Sequence, residues 1–167
     1  NALNNMEQEN VRYEAGTGNI GVIISDTAMF QRAEPTPSDP MLGSFYGLAL
    51  PLLKAGVPVE VVQLENVGYP DALSRYKILL LTYEHQKPLK PAYHDAIVDW
   101  VRAGGRLLFV DDGKDPYHAV REWWNDQGAT TGKAVDHLIR TLGVNENVWN
   151  EPIAVWKGHV RFIAASP

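Results

Sequence analysis

Four short apolar runs constrain this chain more than any other feature. Residues 20–25 (Ile-Gly-Val-Ile-Ile-Ser), 58–64 (Pro-Val-Glu-Val-Val-Gln-Leu), 78–83 (Ile-Leu-Leu-Leu-Thr-Tyr) and 106–111 (Arg-Leu-Leu-Phe-Val-Asp) are six or seven residues long and largely continuous. A strand wetted on one face alternates apolar and polar side chains, whereas one covered on both faces reads as an unbroken apolar run. Helical periods lie between them. In 44–55, Phe45, Leu48, Leu52 and Ala55 recur every three or four residues, with Ala49 and Leu53 widening the stripe. Pro51 predicts a kink there or a late start, and Gly56 a stop. In 91–103, Ile97, Val98, Trp100 and Val101 take one side before Gly104-Gly105; in 133–142, Val135, Leu138, Ile139 and Leu142 do so. A last strand is expected from Val160 to Ala164. Strands alternating with helices in this way predict an α/β protein, a mainly parallel open sheet with helices on both faces.

Composition narrows the function classes. At 167 residues one domain is expected, able to bury roughly 70 % of its unfolded surface without disulfide or metal. Fifteen basic and 20 acidic side chains leave a charge of −5, with no Lys/Arg cluster, so nucleic acid is not an expected partner. There is no cysteine, which removes disulfides, zinc ribbons, iron–sulfur clusters and thiol nucleophiles. No apolar run approaches the length of a membrane span. Residues 1–18 are polar and close on Gly16-Thr17-Gly18, as expected of an N-terminal arm or linker before a domain over 19–167. The chain opens on Asn1 with no signal peptide, as a processed form or a piece of a longer protein would. The loop 26–43, with Pro35, Pro37 and Pro40, is long enough to be a binding loop, though a plain connector fits it as well.

Four stretches carry a family resemblance: Gly21-Val-Ile-Ile-Ser-Asp26; Leu52-Leu-Lys-Ala-Gly-Val-Pro-Val-Glu-Val-Val62; Tyr76-Lys-Ile-Leu-Leu-Leu81 with the helix ending Trp100-Val-Arg-Ala-Gly-Gly-Arg-Leu-Leu108; and Leu138 to Gly143 with Lys157-Gly-His-Val160. In this order they resemble the class I glutamine amidotransferase-like fold, a flavodoxin-like three-layer sandwich. More narrowly they resemble its noncatalytic version, the trimerisation domain of family 42 beta-galactosidases. The catalytic members carry a cysteine at a glycine-flanked elbow and a distant His-Glu pair. The corresponding turn here is Phe109-Val-Asp-Asp-Gly-Lys-Asp115, with acids in the place of the thiol, and no Gly-x-Ser-x-Gly is present. The resemblance therefore implies a domain that holds the fold without the nucleophile, with no catalytic residue, metal ligand or cofactor assigned.

Candidate ligand-binding residues collect at the predicted strand ends, where open α/β sheets bind ligands. Asp111, Asp112, Asp115 and His118 fall within eight residues after the fourth strand. Asp and His together suit a divalent ion or acid–base work; with no calcium-loop or HExxH pattern, a solvated turn in which Asp112 or Asp115 caps a following helix is the favoured reading. Asp26 ends the first strand, and Tyr83, Glu84 and His85 end the third. Tyr and carboxylates in one crevice suit a saccharide, because carboxylates accept hydroxyl protons and aromatic faces stack on sugar rings. Tyr117, Trp123 and Trp124 form an aromatic cluster. On a helix the adjacent tryptophans point about 100° apart, leaving one free as an interface anchor or sugar platform unless both pack under the loops. Gly128-Ala-Thr-Thr-Gly-Lys-Ala134 imitates a phosphate loop, but its spacing is one residue short and no strand precedes it. His94 and His137 are expected at the surface.

The expected function is that of an accessory domain in a larger carbohydrate-active protein, serving packing, oligomerisation or ligand binding. The alternatives are a saccharide-binding module and a hydrolase using the Asp/His cluster. The expected partners are other domains of a longer chain, a second copy, or a saccharide. Residues alone fix no compartment; the resemblance favours an extracytoplasmic one, secreted or periplasmic.

Overall fold

A computed structural model describes residues 19–29, 42–126, 132–145 and 149–167. The predicted arm 1–18, the Pro-rich segment 34–40 and residues 128–131 of the loop resembling a phosphate site lie outside the described residues. The described chain forms a six-stranded mixed sheet with helices, an α/β fold. Its strands are β1 (Ile20–Ile24), β2 (Glu60–Gln63), β3 (Ile78–Leu81), β4 (Arg106–Val110), β5 (Pro152–Val155) and β6 (Gly158–Ile163). Their order is β2-β1-β3-β4-β6-β5, parallel throughout except for β5, which runs antiparallel to β6. Three helices accompany them: α1 (Gly43–Lys54), α2 (Ala92–Arg102) and α3 (Ala134–Leu142).

Three of the apolar runs become the interior strands β1, β3 and β4, covered on both faces; the run 58–64 instead forms the edge strand β2, where Val61 is 63 % exposed. Val22, Leu80 and Val110 pack with Leu48 and Ala49 of α1 on one side. Ile23, Leu79, Leu81, Leu107 and Phe109 point the other way, onto Ile97, Val98 and Val101 of α2 and Leu138, Ile139 and Leu142 of α3. Each such side chain contributes about 1.5–3 kcal/mol on leaving water, before conformational entropy is set against it. The larger cluster lies on the α2–α3 side, so the sheet is anchored mainly there.

Several expectations are corrected in detail. α1 runs unbroken through Pro51 from Gly43, so it does not start late. Its outer face carries Tyr46, Leu50 and Leu53, which are 38 %, 42 % and 48 % exposed. Those positions are four and three residues apart, so they form one stripe, turned away from the buried Leu48. β5 was not foreseen. Four residues beginning with Pro152 make a weak strand signal, and proline is tolerated there because it is the first residue of an edge strand. The hairpin joining β5 to β6 turns at Trp156, a residue whose φ of 54° is left-handed and which is 84 % exposed. β6 begins at Gly158, where a Cβ would overlap the carbonyl oxygens of Val101 and Gly105.

The strand order positions any site. From β1 the chain goes to β2 on one side and to β3 on the other, so the connections diverge at the carboxyl ends of β1 and β3. Such a switch point is where open α/β sheets leave a crevice for ligands.

Candidate functional site

In this protein the switch point is spanned by its own side chains. Gln86, buried and just past β3, accepts a hydrogen bond from the Ser25 amide at 2.7 Å. Its amide donates back to the Ile23 carbonyl at 3.2 Å and the Thr82 carbonyl at 2.9 Å. One glutamine thus ties the end of β1 to the end of β3. Beside it the Thr27 hydroxyl donates to the Lys87 carbonyl at 2.8 Å and accepts from the Lys87 amide at 2.7 Å. Asp26 stands apart from this and is exposed. It accepts from Gln63 Nε2 at the end of β2, while its own amide donates to Glu65.

The loops after β3 and β4 are joined by a buried ion pair. Lys87 Nζ donates to Asp115 Oδ2 at 2.6 Å, with the two side chains 1 % and 3 % exposed. The ammonium also donates to the Tyr83 carbonyl and lies 4.8 Å from the Tyr117 ring centre. Burial lowers the Lys87 pKa against the pull of Asp115. For Asp115 burial acts upward, but the Lys87 hydrogen bond and the Tyr117 and His85 amides outweigh it and hold the carboxyl below its ordinary range. Asp115 also caps the short 3-10 turn Pro116–Ala119, the bland role the sequence allowed for it.

Glu84, Asp111 and Asp112 converge above this pair. Each offers one carboxylate oxygen within 4.8 Å of the others. Glu84 Oε1 accepts from the Asp112 amide at 3.1 Å, and Oε2 accepts from Ser44 at 3.2 Å and Ser166 at 3.1 Å. Asp111 Oδ1 accepts from the Gly113 amide at 2.6 Å; Asp112 accepts from the Lys114 amide and pairs with Lys114 Nζ at 3.1 Å. The Lys114 amide is the first cause of a lowered Asp112 pKa. His118 is buried, with Nε2 3.5 Å from Asp111 Oδ1. A cleft of about 210 Å³ opens beside the group, lined by Glu84, His85, Asp112, Lys114, Asp115 and Pro116. That is smaller than the roughly 300–1,000 Å³ of typical small-molecule pockets and has no aromatic wall. A larger cavity of about 360 Å³, at Asn19, Lys77 and Gly104, lies at the opposite edge of the sheet, away from these groups.

The aromatic candidates are drawn inward. Tyr83 is fully buried in the α2–α3 core, and its hydroxyl sits 2.6 Å from His94 Nε2. Burial, followed by the Asp111 charge, raises the Tyr83 pKa well above its ordinary value. Trp124 is buried, donating to the His118 carbonyl at 3.2 Å. Trp123 is half-buried and donates to the Pro88 carbonyl at 2.8 Å, its ring edge-on to Trp124, His94 and His137. So both tryptophans pack beneath the loops.

The expectation of surface histidines is overturned. His94 is fully buried, with Nδ1 2.8 Å from His137 Nδ1, and His137 is half-buried. Burial, then His137, lowers the His94 pKa to about 3, so the ring is neutral at pH 7. The signal was present: position 94 is three before Ile97 and four before Val98, on the apolar stripe of α2. Sequence reasoning also missed Gln86 and Lys87, polar residues in a polar stretch, for which no periodic signal existed.

No family model matches this chain, and no curated protein matches it. Among solved structures it is similar to the beta-galactosidase from Bifidobacterium adolescentis, with a TM-score of 0.45 and 18 % sequence identity. The match covers 76 % of this chain and 54 % of that one, so this chain spans about half the length of the galactosidase.

Proposed function

We propose that this chain is a noncatalytic, amidotransferase-like accessory domain of a larger carbohydrate-active protein, flavodoxin-like and three-layered, whose work is packing or oligomerisation. The observation that carries the proposal is the stripe Tyr46, Leu50 and Leu53 on the outer face of α1. Three large apolar side chains in register on one helix face favour a protein surface over water. The chemistry of the sheet edge supports the same conclusion. The turn after β4 offers Asp111-Asp112-Gly113 where a nucleophile would stand, the sequence has no cysteine, and Gln86 spans the switch point. An enzyme of this architecture would keep that crevice free for substrate.

Light scattering on the size-fractionated chain tests the proposal. An assembly larger than one chain is expected, dispersed to monomers by Leu50→Glu with Leu53→Glu. A wild-type chain that stays monomeric at every concentration counts against oligomerisation. A second reading, a small polar ligand such as a saccharide, is favoured by the polar lining of the cleft at Glu84, His85 and Asp112. Calorimetry with mono- and oligosaccharides decides it, since heat above background at millimolar ligand is what binding there predicts. A hydrolase working through Asp112 and His118 would instead show turnover that Asp112→Asn abolishes.

A further inference from the structure

His118 presents a problem that the folded chain alone does not solve. The residue is 6 % exposed, and neither ring nitrogen has a hydrogen-bond partner among the described residues. The same holds for Asp111 Oδ2, on a side chain 1 % exposed. An imidazole and a carboxylate oxygen buried without partners each destabilise the fold, the more so when the group is charged. Their contact at 3.5 Å is longer than a normal N–H···O bond.

The donors around them complete a pattern. Glu84 and Asp112 bring their oxygens to within 4.8 Å of Asp111. Two ligands of one ion at about 2.1 Å lie between about 3 and 4.2 Å apart, so the carboxylates need move only by tenths of an ångström. His118 stands behind Asp111, 3.5 Å from Oδ1, and is not one of the three residues whose oxygens converge. The carboxylates are also oriented by outer partners, as ligating groups are: Glu84 by Ser44, Ser166 and the Asp112 amide, Asp111 by the Gly113 amide. Glu84 Oε2 is filled by its two hydroxyl donors, but Glu84 Oε1 and Asp111 Oδ1 each keep a lone pair, and Asp111 Oδ2 keeps both. Among the described residues the nearby ammonium groups have other hydrogen-bond partners, Lys87 on Asp115 and Lys133 on the Gly113 carbonyl; Lys114 pairs with Asp112, and Lys87 reaches Asp111 and Glu84 through its charge alone.

We infer that Glu84, Asp111 and Asp112 form a site for one divalent cation of the Mn²⁺ kind. Three carboxylates offer the oxygen donors that Mn²⁺ shares with Mg²⁺ and Ca²⁺. The cation would satisfy Asp111 Oδ2 and fasten the loop after β3 to the loop after β4. The inference is separate from the accessory role: the three donors lie in the loops after β3 and β4, and α1 reaches them only through Ser44, on the face away from Leu50 and Leu53.

The test is Mn²⁺ titrated into the chelator-treated whole chain, following the electron-paramagnetic signal of free Mn²⁺. One saturable site per chain is expected, with Kd below roughly 1 mM. Asp111→Asn should weaken it by about tenfold or more, and Lys114→Ala, which frees Asp112, should tighten it. If Asp111→Asn fails to fold, Asp112→Asn, at a half-exposed position, carries the same expectation. Absence of saturable binding to the folded wild type overturns the inference. So does binding that no Asp variant changes. Self-association read in parallel keeps a negative result here separate from failure of the accessory proposal.

Discussion

Lys87 Nζ lies 2.6 Å from Asp115 Oδ2, and together the two residues form an ion pair almost sealed from water where the loops after β3 and β4 meet. Asp115 accepts from the Tyr117 and His85 amides as well, so one carboxylate organises three segments of backbone and side chain. A buried pair of this kind adds little net stability compared with an apolar replacement, but losing one partner strands the other charge.

Lys87→Met should therefore cost about 3–5 kcal/mol, read as a fall in the urea midpoint at unchanged slope. Adding Asp115→Asn removes the stranded charge and keeps an acceptor for the two amides, so the double variant should be more stable than Lys87→Met alone. The pH sign follows from the depressed Asp115 pKa. Its contribution is complete above the ordinary carboxylate pKa and is lost as pH falls through the lower folded value.

Gln86→Leu preserves volume and removes three hydrogen bonds, those to the Ser25 amide and the Ile23 and Thr82 carbonyls. A loss of roughly 2–4 kcal/mol is expected, since buried backbone groups are left without partners. Hydrogen exchange at the Ser25 amide should quicken more than at the centre of β4. Equal exchange in variant and wild type would mean that the glutamine does not hold the switch point together.

His94 sets an acid limit on stability. Its pKa is about 3 in the fold against an ordinary 6.5, so the unfolded chain binds the proton first as pH falls. Stability is therefore full above about 6.5 and declines toward pH 3, by on the order of 5 kcal/mol from this group. His94→Phe removes that titration and should flatten the decline measured by urea unfolding across this range. An unchanged slope would place the acid sensitivity elsewhere.

What was legible in the sequence follows the physics of each element. β1, β3 and β4 are buried on both faces, and continuous apolar runs express that directly. α2 and α3 show in their periods for the same reason. β5 was hidden because an edge strand of four residues needs little apolar content and tolerates Pro152. The acidic group after β4 was visible as composition, but not the way Glu84 joins it from β3, because that depends on strand adjacency. His94 misled because its polarity was weighed above its place on the stripe. Gln86 and Lys87 act through tertiary hydrogen bonds, and no local pattern announces those.

The central claim is that α1 offers an interface while the sheet edge is held by the protein's own side chains. Sedimentation velocity over a concentration series, on wild type and on Leu50→Glu with Leu53→Glu, tests it most directly. The account predicts a wild-type species heavier than one chain that grows with concentration, and a folded double variant that sediments as a monomer throughout. A wild type that sediments as a monomer at every concentration, indistinguishable from the variant, would contradict it.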